Sequence, residues 1–447
     1  MNNFEKECVL VLDEMFLTKG INYDVASKSF IGNVTLPEHE GIANHGLVFM
    51  LGGISSRWKQ TVAYYFTSDS VKGSALKPII NSIISKSEAI GLRVNSITSD
   101  MGSCNKAMWA SYGVGCSFLG NINNSVLHPC DSERKLYFLP DVPHLFKNIK
   151  QAIINNKVIT IPDNIVKENN LTSNIVYCKH IEELYKHQND FELKLFHKLN
   201  IEDIQKPNHF DKMKVSKATS AINMDVAATL SYLIKNEDYH SSYRLLLGSL
   251  DKFSWFTIMS SRDPVVALSK RNSEKYIETL QFLNKFMDLF RNIKIGYKKT
   301  WKPCQSGVLV ATQSILDLQD LFLNKKNVRS LLTSGFTQDC LENLFSCMRS
   351  IQSVPNALQF KCNLKLICVA QYLKHVSYSS YEQDDREFLG DFLDFSKIPT
   401  TTNSETYEEC SDSDINDMLY IILNKIVYTI LQVLFNHKFL TQIIWCI

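Results

Sequence analysis

Two rhythms of apolar and polar positions organise this chain. Residues 8–12, CVLVL, form an unbroken apolar run that meets a pair of acids at Asp13 and Glu14, the pattern of a central strand buried on both faces. LVFMLGGI (47–54) and TVAYYFT (61–67) are β-rich runs joined through SSRWKQ, which predicts a hairpin. SALKPIINSIISKSEAIG (74–91) switches to the helical period and stops at Gly91. RVNSITSD (93–100) returns to strand and is closed by another acid, Asp100. A second helix, about 105–112, precedes KLYFLPDVPHLFKNIK (135–150). There a short strand ends at Asp141 and Pro143 opens the next helix. The order β, β, β, α, β, α, β predicts an α/β (mixed α+β) fold: a mixed sheet with helices on its faces.

The rest of the chain divides by composition. Residues 151–300 turn Lys/Asn-rich and helix-favouring, with few strand signals. Residues 307–375 are read as helical, 379–417 as an acidic, Ser/Thr-rich flexible linker, and 418–447 as an apolar helical tail. Both ends are abrupt, which suggests part of a longer protein.

Within 337–350, TQDCLENLFSCMRS, the residues Leu341, Leu344, Phe345 and Met348 repeat at i, i+3, i+4, i+7 and predict one buried helix face. Thr337 is the expected N-cap. That puts Asp339 and Glu342 in the first turns, where they also suit the helix dipole, and Arg349 at the far end, facing water on that reading.

Composition narrows the function classes. The chain has 447 residues, enough for two or three domains, and a formal charge of +2. No strong field advertises an anionic partner, though local basic patches can hide inside a balanced total. Twelve cysteines occur without a CxxC pair, which suits reduced thiols in a cytosolic or nuclear compartment. No run of about 18 apolar residues escapes interruption by charge; the run from Met418 is broken by Lys425, His437 and Lys438. No membrane partner is expected.

Asp13, Asp100 and Glu342 are the candidate site. In this strand order the first and fourth strands are neighbours, so Asp13 and Asp100 can stand side by side at their carboxyl ends. Close carboxylates repel and raise each other's pKa unless a cation neutralises them. A hard cation such as Mg²⁺ takes oxygen ligands, and a pair of ions serves phosphoryl transfer. Each acid taken singly also fits a turn or cap.

LDEM (12–15), LVFMLGGISSRWKQTVAYYFT (47–67), ITSDMGSCNKAMW (97–109), PDVPHLFKNIK (140–150) and TQDCLENLFSCMRS (337–350) together resemble the P-element transposases and their domesticated THAP-domain relatives. The resemblance runs over roughly residues 8–375, in the right order. It implies an RNase H-like core, in two parts (1–150 and 301–378), interrupted by a large, mostly helical insertion (151–300) that binds GTP in those transposases. It also implies a DDE triad of Asp13, Asp100 and Glu342 holding two Mg²⁺ (or Mn²⁺) ions. The expected partners are DNA, as transposon ends and target, with a possible homo-oligomer in the nucleus. The alternative is a domesticated, catalytically inactive relative that acts as a DNA- or protein-interaction scaffold.

Departures accompany the likeness. The family's zinc-coordinating THAP module and the coiled coil after it have no counterpart in the sequence. In FMDLFRNIK (286–294), Arg291 and Lys294 hold the places of a guanine-reading Asp and Asn. A cation cannot accept the guanine N–H bonds that a carboxylate accepts, so GTP is not expected to bind well.

Other residues keep two readings each. Asp141 and His144 are either partners of the acid site or a helix cap and its neighbour. Lys147 and Lys150 face phosphate or water. Trp58 and Lys59 stack on and pair with a nucleic-acid strand, or Trp58 covers a hairpin edge. His128, Cys130 and His144 lack a zinc-ligand spacing.

Overall fold

The computed structural model describes residues 3–69, 72–168, 173–177, 252–373 and 387–388. The chain opens with β1 (Glu7–Phe16), a small hairpin of β2 (Asn22–Asp24) and β3 (Ser29–Ile31), β4 (His45–Gly53) and β5 (Trp58–Thr67). Then follow α1 (Leu76–Ala89), β6 (Arg93–Ser99), α2 (Ser103–Ser111), β7 (Ser125–His128), β8 (Asp131–Pro140) and α3 (Val142–Asn156). Next come β9 (Val158–Thr160), α4 (Asp163–Glu168) and β10 (Ile175–Tyr177), and, from residue 252, α5 (Lys252–Met259), β11 (Leu268–Ser269), α6 (Ser273–Asn292) and β12 (Lys294–Ile295). The last described elements are α7 (Pro303–Gln319), β13 (Ser330–Leu331), α8 (Asp339–Ile351), α9 (Ala357–Leu373) and β14 (Glu387–Phe388).

A seven-stranded sheet in the order β14-β5-β4-β1-β6-β8-β7 forms the frame. β1, β4 and β5 are an antiparallel meander, whereas β6 and β8 run parallel to β1 and are reached through helices. This is the mixed sheet that the strand order predicts. Successive residues of β1 point to opposite faces, so its apolar run feeds two cores. Val9 and Val11 join Val48, Met50, Tyr137 and Leu139 under the side carrying α3, α7, α8 and α9. Cys8, Leu10 and Leu12 join Phe49, Leu51, Ile97 and Phe138 under α1 and α2. A continuous apolar strand is therefore required at the centre, and alternation would have left one face open.

Leu341, Leu344, Phe345 and Met348 are all buried, so α8 lies on the sheet by the face its sequence predicts. Its N-cap, however, is Gln338 rather than Thr337. Thr337 closes the preceding 3-10 turn, its hydroxyl donating to the Ser334 carbonyl at 2.9 Å, and the helix begins one residue later. Asp13 also lies inside β1 rather than at its end, because β4 keeps pairing as far as Phe16.

Trp58 is fully buried, with its indole N–H donating to the Glu5 carbonyl at 2.7 Å, and Lys59 is buried beside it. Neither presents itself to a nucleic-acid strand, so that reading is withdrawn. Within 151–300 the described residues add short strands to the helices: β9 is flanked by β10 and β12 in a three-stranded sheet. These pieces of two or three residues are too short to leave a periodic signal. Most of the expected linker and all of the 418–447 tail lie outside the described residues, but Glu387–Phe388 pairs with Trp58–Lys59 at the edge of the main sheet. No helix among the described residues is long and apolar enough to cross a membrane.

Candidate active site

The parallel register of β1 and β6 aligns Val11 with Thr98. Two residues further on come Asp13, still within β1, and Asp100, just past the end of β6. Asp13 is half-buried, and its Oδ1 accepts the Glu14 backbone N–H at 2.9 Å. Asp100 leaves β6 and turns the chain into α2. Its Oδ1 accepts from the Gly102 N–H at 2.9 Å and the Asn105 amide at 2.6 Å. Glu342, in the first turn of α8, sits beside the same strand ends, with its side chain 17% exposed.

Asp13 senses both of the other acids. Burial pushes the Asp13 carboxyl well above its usual range; nearby His144 opposes the rise, and the negative charges of Glu342 and Asp100 add to it. Like-charged groups in a poorly hydrated site favour protonation or a neutralising cation.

Cations stand close by on α3. Asp141 caps that helix, its Oδ2 accepting the His144 backbone N–H at 2.9 Å. The same carboxylate lies 3.2 Å from His144 Nδ1. Burial works against the imidazolium, yet the hydrogen bond and charge of Asp141 win and raise His144 to about 9. Burial raises Asp141 in turn, but His144 and the Gln338 N–H outweigh that and lower it. His144 Nε2 is 3.5 Å from Glu342 Oε1, while Arg349 approaches Glu342 Oε2 at 3.5 Å. One turn along α3, burial lowers the Lys147 ammonium, against the attraction of Glu342, Asp141, Asp13 and Asp100. Both α3 cations therefore stand near the acids, His144 within 3.5 Å of Glu342.

Gln338 joins these elements. Its amide Nε2 donates to the Leu12 carbonyl at 2.6 Å, its Oε1 lies 3.1 Å from His144 Nδ1, and its backbone N–H donates to Asp141 Oδ1 at 2.7 Å. It is a positioning residue that sequence reasoning missed. A lone glutamine carries no motif, and its only signal is its place directly before the helix that bears Glu342. Asp339, by contrast, is tied to Arg262 at 2.7 Å. His128 is remote from this group, bonded to the Val94 carbonyl beside Glu88.

The donor set is all oxygen, as a hard divalent cation prefers, and Asp13 lies where an ionised carboxylate is costly without a positive neighbour. On both counts the residues fit such an ion. The side chains do not close a finished cage: among the described residues no three His, Cys, Asp or Glu groups converge to metal-binding spacing. Asp100 is turned to Gly102 and Asn105, and Glu342 to His144 and Arg349.

Comparison with known proteins follows the same lines. Residues 1–113 match the family described as TNP-like, RNase H N-terminal domain. Over 381 residues the chain is 25% identical to the Transposable element P transposase of Drosophila melanogaster, covering 82% of this chain and 45% of that protein. The chain thus spans less than half the length of that relative. In fold it matches the solved Drosophila P element transposase strand transfer complex with a TM-score of 0.69 at 22% identity, over 84% of this chain and 79% of that one. The mixed sheet with flanking helices is accordingly RNase H-like.

Proposed function

We propose that this chain, P-element transposase-like in sequence and fold, is the catalytic core of a DNA transposase that cuts a phosphodiester and joins the freed 3′-hydroxyl to a target strand. Asp13, Asp100 and Glu342 would hold two Mg²⁺ or Mn²⁺ ions. When bound, such ions supply activation of the attacking oxygen and stabilisation of the leaving one. The chain's own groups do the rest. β1 and β6, paired in parallel, set two of the carboxylates side by side, and Gln338 sets α8, with Glu342, against β1. His144 and Lys147 offer positive charge on the side of the site nearest Glu342, where a phosphate would gather negative charge in the transition state.

The observation that supports the reading is the parallel pairing of β1 with β6, which brings Asp13 alongside Asp100, with Glu342 near enough to add its charge to theirs at Asp13. DNA is the proposed partner and the nucleus the proposed location, with a homo-oligomer as the working form. A guanine-reading role is not proposed for Arg291, since its guanidinium donates to the carbonyls of Phe118 and Gly120 at 3.3 and 3.0 Å.

The test is strand nicking and strand transfer on terminal-repeat oligonucleotides with Mg²⁺ or Mn²⁺, comparing the wild type with Glu342→Ala. Metal-dependent cleavage that vanishes in the variant supports the triad. A second reading, an inactive DNA- or protein-binding scaffold, is favoured by one observation: Glu342 is already engaged by His144 and Arg349. Folded wild-type protein that binds DNA without cutting it would establish that reading instead.

A further inference from the structure

The nearly neutral total hides a local excess of positive charge. Between Asp288 and Asp317 there are five cations, Arg291, Lys294, Lys298, Lys299 and Lys302, and no acid. Lys294, Tyr297, Lys298 and Lys299 are exposed, Tyr297 to 75%.

The segment is held in place by several bonds. β12 pairs with β9 through Lys294–Thr160 and Ile295–Ile159. The Gly296 N–H donates to the Val158 carbonyl at 2.7 Å, and the Lys299 N–H closes a turn on the Gly296 carbonyl at 3.0 Å. Gly296 and Lys299 have φ of 84° and 51°. Lys157, which ends α3 just before β9, is likewise exposed and left-handed at φ 60°. A left-handed lysine brings its Cβ close to the backbone, so such a conformation persists only where its surroundings fix it. Here two lysines adopt it, both at the start of β9, where the Gly296–Lys299 turn meets the end of α3.

The position of this ledge relative to the acids is also fixed. Past Lys302 the chain enters α7, where Gly307 is packed so tightly against Met101 and Leu145 that no Cβ would fit. Met101 follows Asp100, and Leu145 follows His144. Ser306 donates to the Cys116 carbonyl at 2.9 Å, and Trp301 meets Phe118 edge to face with ring centroids 5.6 Å apart. The basic segment therefore leads directly into the helix that packs beside the acid site.

We infer that Lys157, Lys294, Lys298 and Lys299 form a platform for the phosphate backbone of duplex DNA running past that site, with Tyr297 lying against the sugar edge. The inference rests on the DNA-processing reading above. Ammonium groups on flexible stems suit phosphates and carry no base code, so the platform would set the path of the duplex and not its sequence.

The experiment is binding of the full chain to two unrelated duplexes over a salt series. The wild type is compared with the fourfold variant Lys157→Gln, Lys294→Gln, Lys298→Gln, Lys299→Gln. Lys86→Gln with Lys135→Gln, at exposed positions away from the ledge, is the control. Each lost phosphate contact lowers the slope of log K against log salt by about 0.9. The fourfold variant should therefore lose about 3–4 in slope, equally on both duplexes, and the pair Lys298→Gln, Lys299→Gln about 2, with unchanged melting temperatures. A slope equal to that of wild type and control overturns the platform and leaves the transposase reading standing. If the wild type binds neither duplex at low salt, the DNA-processing reading falls and the platform with it.

Discussion

Replacing Gln338 by leucine isolates the contact that joins the site's three elements. The side chain is 1% exposed. Leucine has a similar volume and keeps the backbone bond to Asp141, but it removes the amide bonds to the Leu12 carbonyl and to His144. A neutral buried bond contributes about 1 kcal/mol, one to a charged ring about 1.5–3, and a carbonyl left unpaired in a dry site adds a penalty of about 1–3. The loss should reach roughly 3.5–7 kcal/mol, a fall in melting temperature of about 10 °C or more. Glu342 would also lose its tether to the strand that bears Asp13. A displacement of about 1 Å in such a site costs on the order of 10²-fold in rate. Thermal unfolding and single-turnover nicking read the two effects separately, and duplex affinity should stay constant. Wild-type values in both would refute the tether.

Three further outcomes are expected. Asp13 has its carboxyl raised well above the usual range, so its ionisation is a stability cost that sets in as pH rises above the unfolded carboxylate range near 4. Asp13→Asn should thus raise the melting temperature of the metal-free chain at neutral pH, while added Mn²⁺ should raise the melting temperature of wild type only. His144, raised to about 9, contributes stability that is complete below about pH 6.5 and is lost as pH climbs through 9. The metal-free wild type should therefore lose on the order of 2 kcal/mol across that window, and His144→Gln should show a flat profile by thermal melts. Gly46→Ala should cost about 1–3 kcal/mol in denaturant unfolding, because the new Cβ would lie 2.8 Å from the Phe360 ring against which β4 packs.

Much of this architecture is written in local pattern. β1 announces itself because both its faces are buried, and α8 because its four apolar positions share one face. Asp13 and Asp100 could be paired from strand order alone, since a parallel neighbour brings carboxyl ends together. Other features depend on distant partners. The cap at Gln338 is selected by bonds to Leu12 and Asp141, 326 and 197 residues away, and no window of sequence contains them. Trp58 looked like a surface aromatic because burial at the end of a hairpin is decided by residue 5 closing over it. The strength of His144 as a cation likewise follows from where Asp141 and Glu342 meet it, which spacing along α3 reveals only in half.

The two-residue strand β14 has a practical consequence for where this protein can be shortened. It pairs with Trp58 and Lys59 on the outer side of β5, the margin of the main sheet. A margin strand with open N–H and C=O groups is a template for pairing between molecules. A polypeptide ending at residue 378 would look tidy by composition, yet it would strip that cover and leave the margin sticky. Extending past residue 388 should give a monodisperse preparation where the shorter form associates.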